Sequence, residues 1–209
     1  MSSQKNKMSI IDISMPINSG MPVYPGNPVP VFEEMRGETS TLTKVTIGTH
    51  TGTHVDAPSH VFKDGTVATY NLDVFFGPVR VVDATSCVAE IDKDFVERIN
   101  PQKGERLIFK TSNSDRWNGV FFDDFVALSG DAADILAQVG VSLVGIDALS
   151  IKKRGGKDYR AHDSLLARRI PIIEGLMLKH VSGGVYTLSA FPIALNDLDG
   201  APLRAILIQ

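Results

Sequence analysis

Apolar positions in this chain come in short runs rich in β-branched residues and not in long helical stripes. Thr43–Thr49, Val79–Asp83, Leu107–Lys110, Leu143–Ile146, Ile170–Ile173 and Leu203–Ile208 each read as a strand. Three helices fit between them. Asp94–Ile99 is short, and Ala132–Val139 follows two capping candidates, Ser129 and Asp131, and stops at Gly140. Asp163–Arg169 turns Leu165 and Leu166 inward and sets Arg168 and Arg169 near the negative end of the helix dipole. Between Met15 and Pro30 the prolines at 16, 22, 25, 28 and 30 forbid a helix and predict an ordered, turn-rich loop. Strands outnumber helices, and two of the three helices fall in the second half. That pattern points to an α/β domain with a barrel-like mixed β-sheet flanked by helices. A doubly wound nucleotide fold is disfavoured, because no Gly-x-Gly-x-x-Gly and no phosphate loop is present.

At 209 residues the chain suits one domain, predicted over 8–209 behind a loose polar tail at 1–7. A net charge of −3 with no basic run beyond Lys152-Lys153-Arg154 argues against a nucleic-acid partner. No segment approaches the ~18 apolar residues of a membrane helix, so no membrane partner is expected. The polar start makes a poor signal peptide, and the single cysteine, Cys87, excludes an intrachain disulfide. Both observations fit a cytoplasmic protein.

Three of the five histidines lie within eleven residues, His50-Thr-Gly-Thr-His54-Val-Asp56-Ala-Pro-Ser-His60. In a helix Asp56 would sit about 120° or more from His50, and Gly52 and Pro58 oppose a helix. In a strand His50 and His54 would lie ~13 Å apart. Metal–ligand bonds are only ~2 Å, so the segment is expected to be a compact loop after the Thr43–Thr49 strand. Two imidazoles and a carboxylate with an open position suit Zn²⁺, Mn²⁺ or Fe²⁺. His60 then need not ligate, and an imidazole beside a metal-bound water suits a general base that later donates the proton.

A second pair, His162 and Glu174, is ambiguous on spacing alone. His162 reads as a residue preceding a helix, and Glu174 as a strand-end carboxylate that Lys179 could pair. Other polar groups carry bland readings. His180 is expected on an exposed turn, Asp123-Asp124 at a helix start, and Asp197, Asp199 and Gly200 in a turn before the last strand. Gly155-Gly156 reads as a mobile surface loop that could cover a site. Trp117, Phe121 and Phe122 could be core or a substrate wall.

His50–His60 matches the H-x-G-T-H-x-D-x-P-x-H signature, and the chain thereby resembles the cyclase family of metal-dependent hydrolases, which includes bacterial kynurenine formamidase and isatin hydrolase. The resemblance extends to Asp12–Pro16, Pro22–Gly26, Gly145–Ser150, the His162/Glu174 spacing and Asp199–Arg204. It implies a swivelling β/β/α fold. It further implies that His50, His54 and Asp56 hold one metal, while Asp56 bridges to a second held with His162 and Glu174. His60 would be catalytic and Tyr24 would bind substrate. Zn²⁺, two ions per chain, is the implied cofactor, with Mn²⁺ possible. The implied activity is hydrolysis of a small-molecule, non-peptide amide by metal-activated water, N-formylkynurenine in tryptophan catabolism being the best single substrate. Family members are generally oligomeric, which implies a homodimer or homotetramer.

Departures from the formamidase pattern are Tyr24 where Trp is usual, Asn27 where Asp is common and Thr53 where Ala is frequent. An isatin hydrolase-like lactam hydrolase is the alternative, although Glu174 fits the two-metal formamidase-like branch. More distant readings are a mononuclear Fe²⁺ enzyme and a non-catalytic metal-binding protein with His60 as fourth ligand.

Overall fold

The computed structural model describes residues 8–209; the tail expected at 1–7 lies outside the described residues. Its strands are β1 (Ile10–Asp12), β2 (Val31–Arg36), β3 (Thr41–Thr46), β4 (His54–Asp56), β5 (Phe76–Asp83), β6 (Glu90–Ile91), β7 (Arg106–Lys110), β8 (Ala127–Leu128), β9 (Leu143–Ile146), β10 (Ile172–Glu174), β11 (Gly184–Ser189), β12 (Gly200–Pro202) and β13 (Ile206–Ile208). The helices are α1 (Lys93–Ile99), α2 (Gly130–Val139) and α3 (Arg160–Ala167). None is long and apolar enough to cross a membrane.

One nine-stranded mixed sheet dominates, in the order β1-β13-β11-β5-β7-β9-β10-β4-β12. Its centre, β5-β7-β9-β10, is parallel, and both flanks are antiparallel. The parallel strands are covered on both faces, which is why they read as unbroken apolar runs. On β7, Leu107 and Phe109 pack beneath the helices with Val144 and Ile146, while Ile108 points the other way into a second core with Val79, Val81, Leu143 and Ile173. That second core lies inside a curl. The chain just after β1 meets the segment beyond β10, where Met177 N–H donates to Ile13 C=O at 2.9 Å. The barrel-like sheet flanked by helices is therefore observed.

Helix ends follow their caps. Asp92 accepts from Phe95 N–H and starts α1, and Ser129, not Asp131, accepts from Ala132 N–H and starts α2, which ends at left-handed Gly140. α3 begins a turn earlier than its apolar pattern suggests, because Asp158 accepts from Arg160 N–H at 3.0 Å. His162 thus lies inside the helix and not before it. Arg169, at φ 56°, turns the chain from α3 toward β10. β10 also shifts from the expected Ile170–Ile173, since Pro171 has no N–H for the ladder; Glu174 becomes a strand residue.

The predicted strand at Thr43–Thr49 is instead β3 of a hairpin with β2 that stands outside the main sheet. Asp123 and Asp124 sit in a turn, paired with Arg154 and Arg116, and not at a helix start. Asn196-Asp197 form the expected turn and Asp199 bends the chain, and only Gly200 departs from the expectation, as the first residue of β12.

Candidate metal centre

The signature segment is half turn and half strand, not a loop throughout. Residues 49–53 make the turn, with Gly52 at φ 64°, and His54-Val55-Asp56 is β4. The strand period puts the His54 and Asp56 side chains on one face, and the turn folds His50 back beside them. The His50 and His54 ring centroids are 5.0 Å apart. Thr53 fastens the turn by accepting from Met15 N–H and donating to Gly175 C=O, both at 2.7 Å. Gly175 must be glycine, because a Cβ there would lie 2.3 Å from the Gly52 carbonyl oxygen.

β4 is sandwiched between β10 and β12. Register sets Glu174 opposite His54 and Gly200 opposite Asp56. α3 brings His162 over the same spot. The result is a compact, buried donor set. His54 Nε2 lies 3.4 Å from both Asp56 Oδ1 and Glu174 Oε2, and His162 Nε2 lies 3.5 Å from Asp56 Oδ2 and 3.4 Å from Glu174 Oε1. His50 Nδ1 stands 2.8 Å from Asp56 Oδ1. Asp56 therefore turns one oxygen toward His50 and His54 and the other toward His162. The expected ligands come together, and Lys179 is exposed and takes no part.

These residues fit a metal cofactor. His54 Nδ1 donates to Gly52 C=O at 2.9 Å, which leaves Nε2 as a lone-pair nitrogen in the neutral ring. That Nε2 and Asp56 Oδ2 are both buried without a hydrogen-bond partner. Two buried carboxylates side by side are costly unless positive charge lies between them. In the chain alone protons meet that demand. Burial opposes the charged form of His54, yet its contacts to Asp56 and Glu174 push its pKa up to about 10, and His162 follows to about 10 through Asp56 and Glu174. Burial and the Asp56 charge raise Glu174, but His162 and His54 outweigh them and hold its carboxyl below the usual range. Ile151 N–H donates to Glu174 Oε1 at 2.5 Å and fixes that carboxylate.

His60 stands at the rim, its side chain 32 % exposed. One of its ring nitrogens lies within 4.8 Å of donor atoms of both Asp56 and His162. Burial among neighbouring imidazoles holds its pKa below the ordinary histidine value. The donor set floors a cavity of about 280 Å³ walled by Tyr24, Val61, Leu149, Lys152 and Tyr159. Tyr24 packs edge-to-face on Phe121 at 5.3 Å, so Phe121 buttresses the wall without lining it.

Sequence reasoning passed over two residues here. Lys152 is the one lysine or arginine among the described residues that line the cavity, its Nζ 4.6 Å from the Tyr159 ring centroid. Asp199 reaches His50 Nε2 at 3.0 Å. Its signal was present in the Asp199–Arg204 match, but a turn reading absorbed it.

Comparison with known proteins gives the family and the fold. The Cyclase family model matches residues 11–153. The kynurenine formamidases of Bacillus cereus and Bacillus anthracis are each 36 % identical, covering 94 % of this chain and 96 % of theirs. A solved structure described as a predicted metal-dependent hydrolase from Bacillus stearothermophilus is 36 % identical, with a TM-score of 0.88 over 97 % of this chain and 98 % of that one. Isatin hydrolase A from Labrenzia aggregata shares the fold, with a TM-score of 0.85 at 21 % identity over 96 % of this chain and 93 % of that one.

Proposed function

The chain belongs to the cyclase family, and from that premise we propose that it is a metal-dependent arylformamidase that hydrolyses N-formylkynurenine, releasing formate and the aromatic amine. The carrying observation is the buried donor set, in which the two oxygens of Asp56 face different imidazoles beneath an aromatic-walled cavity. His50, His54 and Asp56 would hold one ion, and Asp56, His162 and Glu174 a second, with Zn²⁺ or Mn²⁺ as the metal. When bound, the ions supply Lewis acidity toward the formyl carbonyl and lower the pKa of water.

The chain's own residues do the rest. His60 takes a proton from the attacking water and delivers it to the leaving nitrogen, which needs a neutral ring at working pH; its depressed pKa suits that. Tyr24, held by Phe121, stacks on the aryl group. Lys152, whose Nζ is held by Gly156 C=O at 2.7 Å and forms no ion pair among the described residues, faces the substrate carboxylate.

The lactam alternative has less support, because the isatin hydrolase neighbour is similar at a level that speaks for fold alone, whereas the formamidases match in sequence across nearly the whole chain. We further propose that the chain works as a homodimer or homotetramer in the cytoplasm. The β2–β3 hairpin supports association: an isolated two-stranded hairpin is marginal in water, and Phe32, Met35, Leu42 and Val45 are exposed on it.

The test is hydrolysis of N-formylkynurenine by chelator-treated protein before and after addition of Zn²⁺ or Mn²⁺. Metal-restored turnover at roughly 1 s⁻¹ or above is expected. No turnover in a protein that holds two ions per chain would move the substrate to cyclic amides.

A further inference from the structure

Asp199 is the group at this site that the metal-centre reading leaves unused. Its backbone is fixed by β12, where Ala57 N–H donates to Asp199 C=O at 2.9 Å and Gly200 pairs with Asp56. Its side chain is fixed by Thr49, whose hydroxyl donates to Oδ1 at 3.0 Å. The other oxygen, Oδ2, meets His50 Nε2 at 3.0 Å and stands 3.8 Å from His60 Nδ1.

Both ring nitrogens of His50 face a carboxylate, Nδ1 toward Asp56 and Nε2 toward Asp199, and a carboxylate only accepts; a neutral ring that turns Nδ1 to a metal beside Asp56 keeps its proton on Nε2, where Asp199 accepts it. Nδ1 then carries the lone pair, and it is Nδ1 that faces Asp56. Carboxylate, imidazole and donor cluster are in line, the arrangement by which an outer carboxylate sets the tautomer and raises the basicity of a ligating histidine. The same oxygen borders His60, whose ring packs on His50 with centroids 4.2 Å apart.

We infer that Asp199 is a positioning residue shared by two histidines: it holds His50 in the tautomer that presents Nδ1 to the metal, and it sets the ring of His60 for proton transfer. The inference rests on the metal-centre reading above. It assigns Asp199 no contact with substrate.

The test is Asp199→Asn in the full chain, with Zn²⁺ and Mn²⁺ as probes. Dissociation constants come from competition with a chromophoric chelator, and kcat and KM are measured at saturating metal. Metal affinity is expected to fall about 10–100-fold, and kcat at saturating metal to fall about tenfold or more with KM unchanged. A residue that only supports the fold would lower the melting temperature and leave both quantities alone. Affinity within twofold of the parent overturns the His50 role, and unchanged kcat overturns the His60 role. Should the Asn variant fail to fold, Thr49→Val leaves the carboxylate but removes its anchor. A several-fold loss of affinity then supports the inference, and none overturns it. If the parent chain itself bound neither ion, the metal-centre reading would fail first, independently of Asp199.

Discussion

Glu174 stands directly opposite His54 in the antiparallel pairing of β10 with β4. Cross-strand neighbours on one face approach to about 5 Å between Cβ atoms, so this register alone brings a carboxylate from the second half of the chain against the second histidine of the signature. α3 adds His162 from above. The distances of 3.4 Å between Glu174 and both imidazoles follow from strand pairing and helix placement together.

Glu174→Gln and His162→Ala should each lower the metal content from two ions per chain to one, because His50, His54 and Asp56 remain. Elemental analysis after dialysis reads this directly. Loss of both ions in either variant would show that the two positions do not fill independently.

His60→Ala should keep its metal and lose turnover by about 10²–10⁴-fold, the usual contribution of a positioned acid or base. Metal content and kcat are measured on the same preparation. A variant that lost metal would make His60 a ligand and leave the proton transfer without an agent.

Lys152→Met should discriminate between substrates by charge. For N-formylkynurenine, which carries a carboxylate, kcat/KM should fall about 10–100-fold, the equivalent of one charge-assisted hydrogen bond. For uncharged formanilide it should hardly change. Equal losses on both would place the lysine in wall packing instead of carboxylate recognition.

Asp147 links pH to stability away from the metal centre. Burial pushes its pKa from 3.8 up to about 6, although Thr111 and Ser114 donate to it through both backbone and hydroxyl. A folded pKa above the unfolded one means that the native state binds the proton more tightly. The associated stability is therefore full below about pH 4 and lost as pH rises through 6, some 3 kcal/mol in all. Asp147→Asn removes that titration. The stability of the parent relative to the variant should fall by about this amount between pH 4 and 7 in denaturant titrations. A pH-independent difference would mean that these four donors keep the carboxylate ionised throughout.

Met35→Glu with Leu42→Glu on the β2–β3 hairpin should shift the mass measured by light scattering toward the 22.6 kDa of one chain. These two residues face each other across the hairpin and are 47 % and 64 % exposed. An unchanged oligomer would locate the interface elsewhere.

The sequence by itself determined what depends on neighbouring residues. Leu143–Ile146 and the helix stopped by Gly140 could be read because burial on both faces and a left-handed cap leave local marks. His50, His54, Asp56 and His60 announced a metal chemistry because they lie within one short segment. The split of that segment into turn and strand was not legible, since His54-Val55-Asp56 becomes β4 only by pairing with β10 and β12. The helix around His162 starts three residues before the apolar pattern suggests and ends two residues before it, because its start depends on the bond from Arg160 N–H to Asp158 and not on apolar period. Glu174 and Asp199 were ordinary carboxylates in sequence, and only the resemblance singled out Glu174. The tertiary structure decided their roles, because a contact between strands distant in the chain is set by sheet register, which no local pattern encodes.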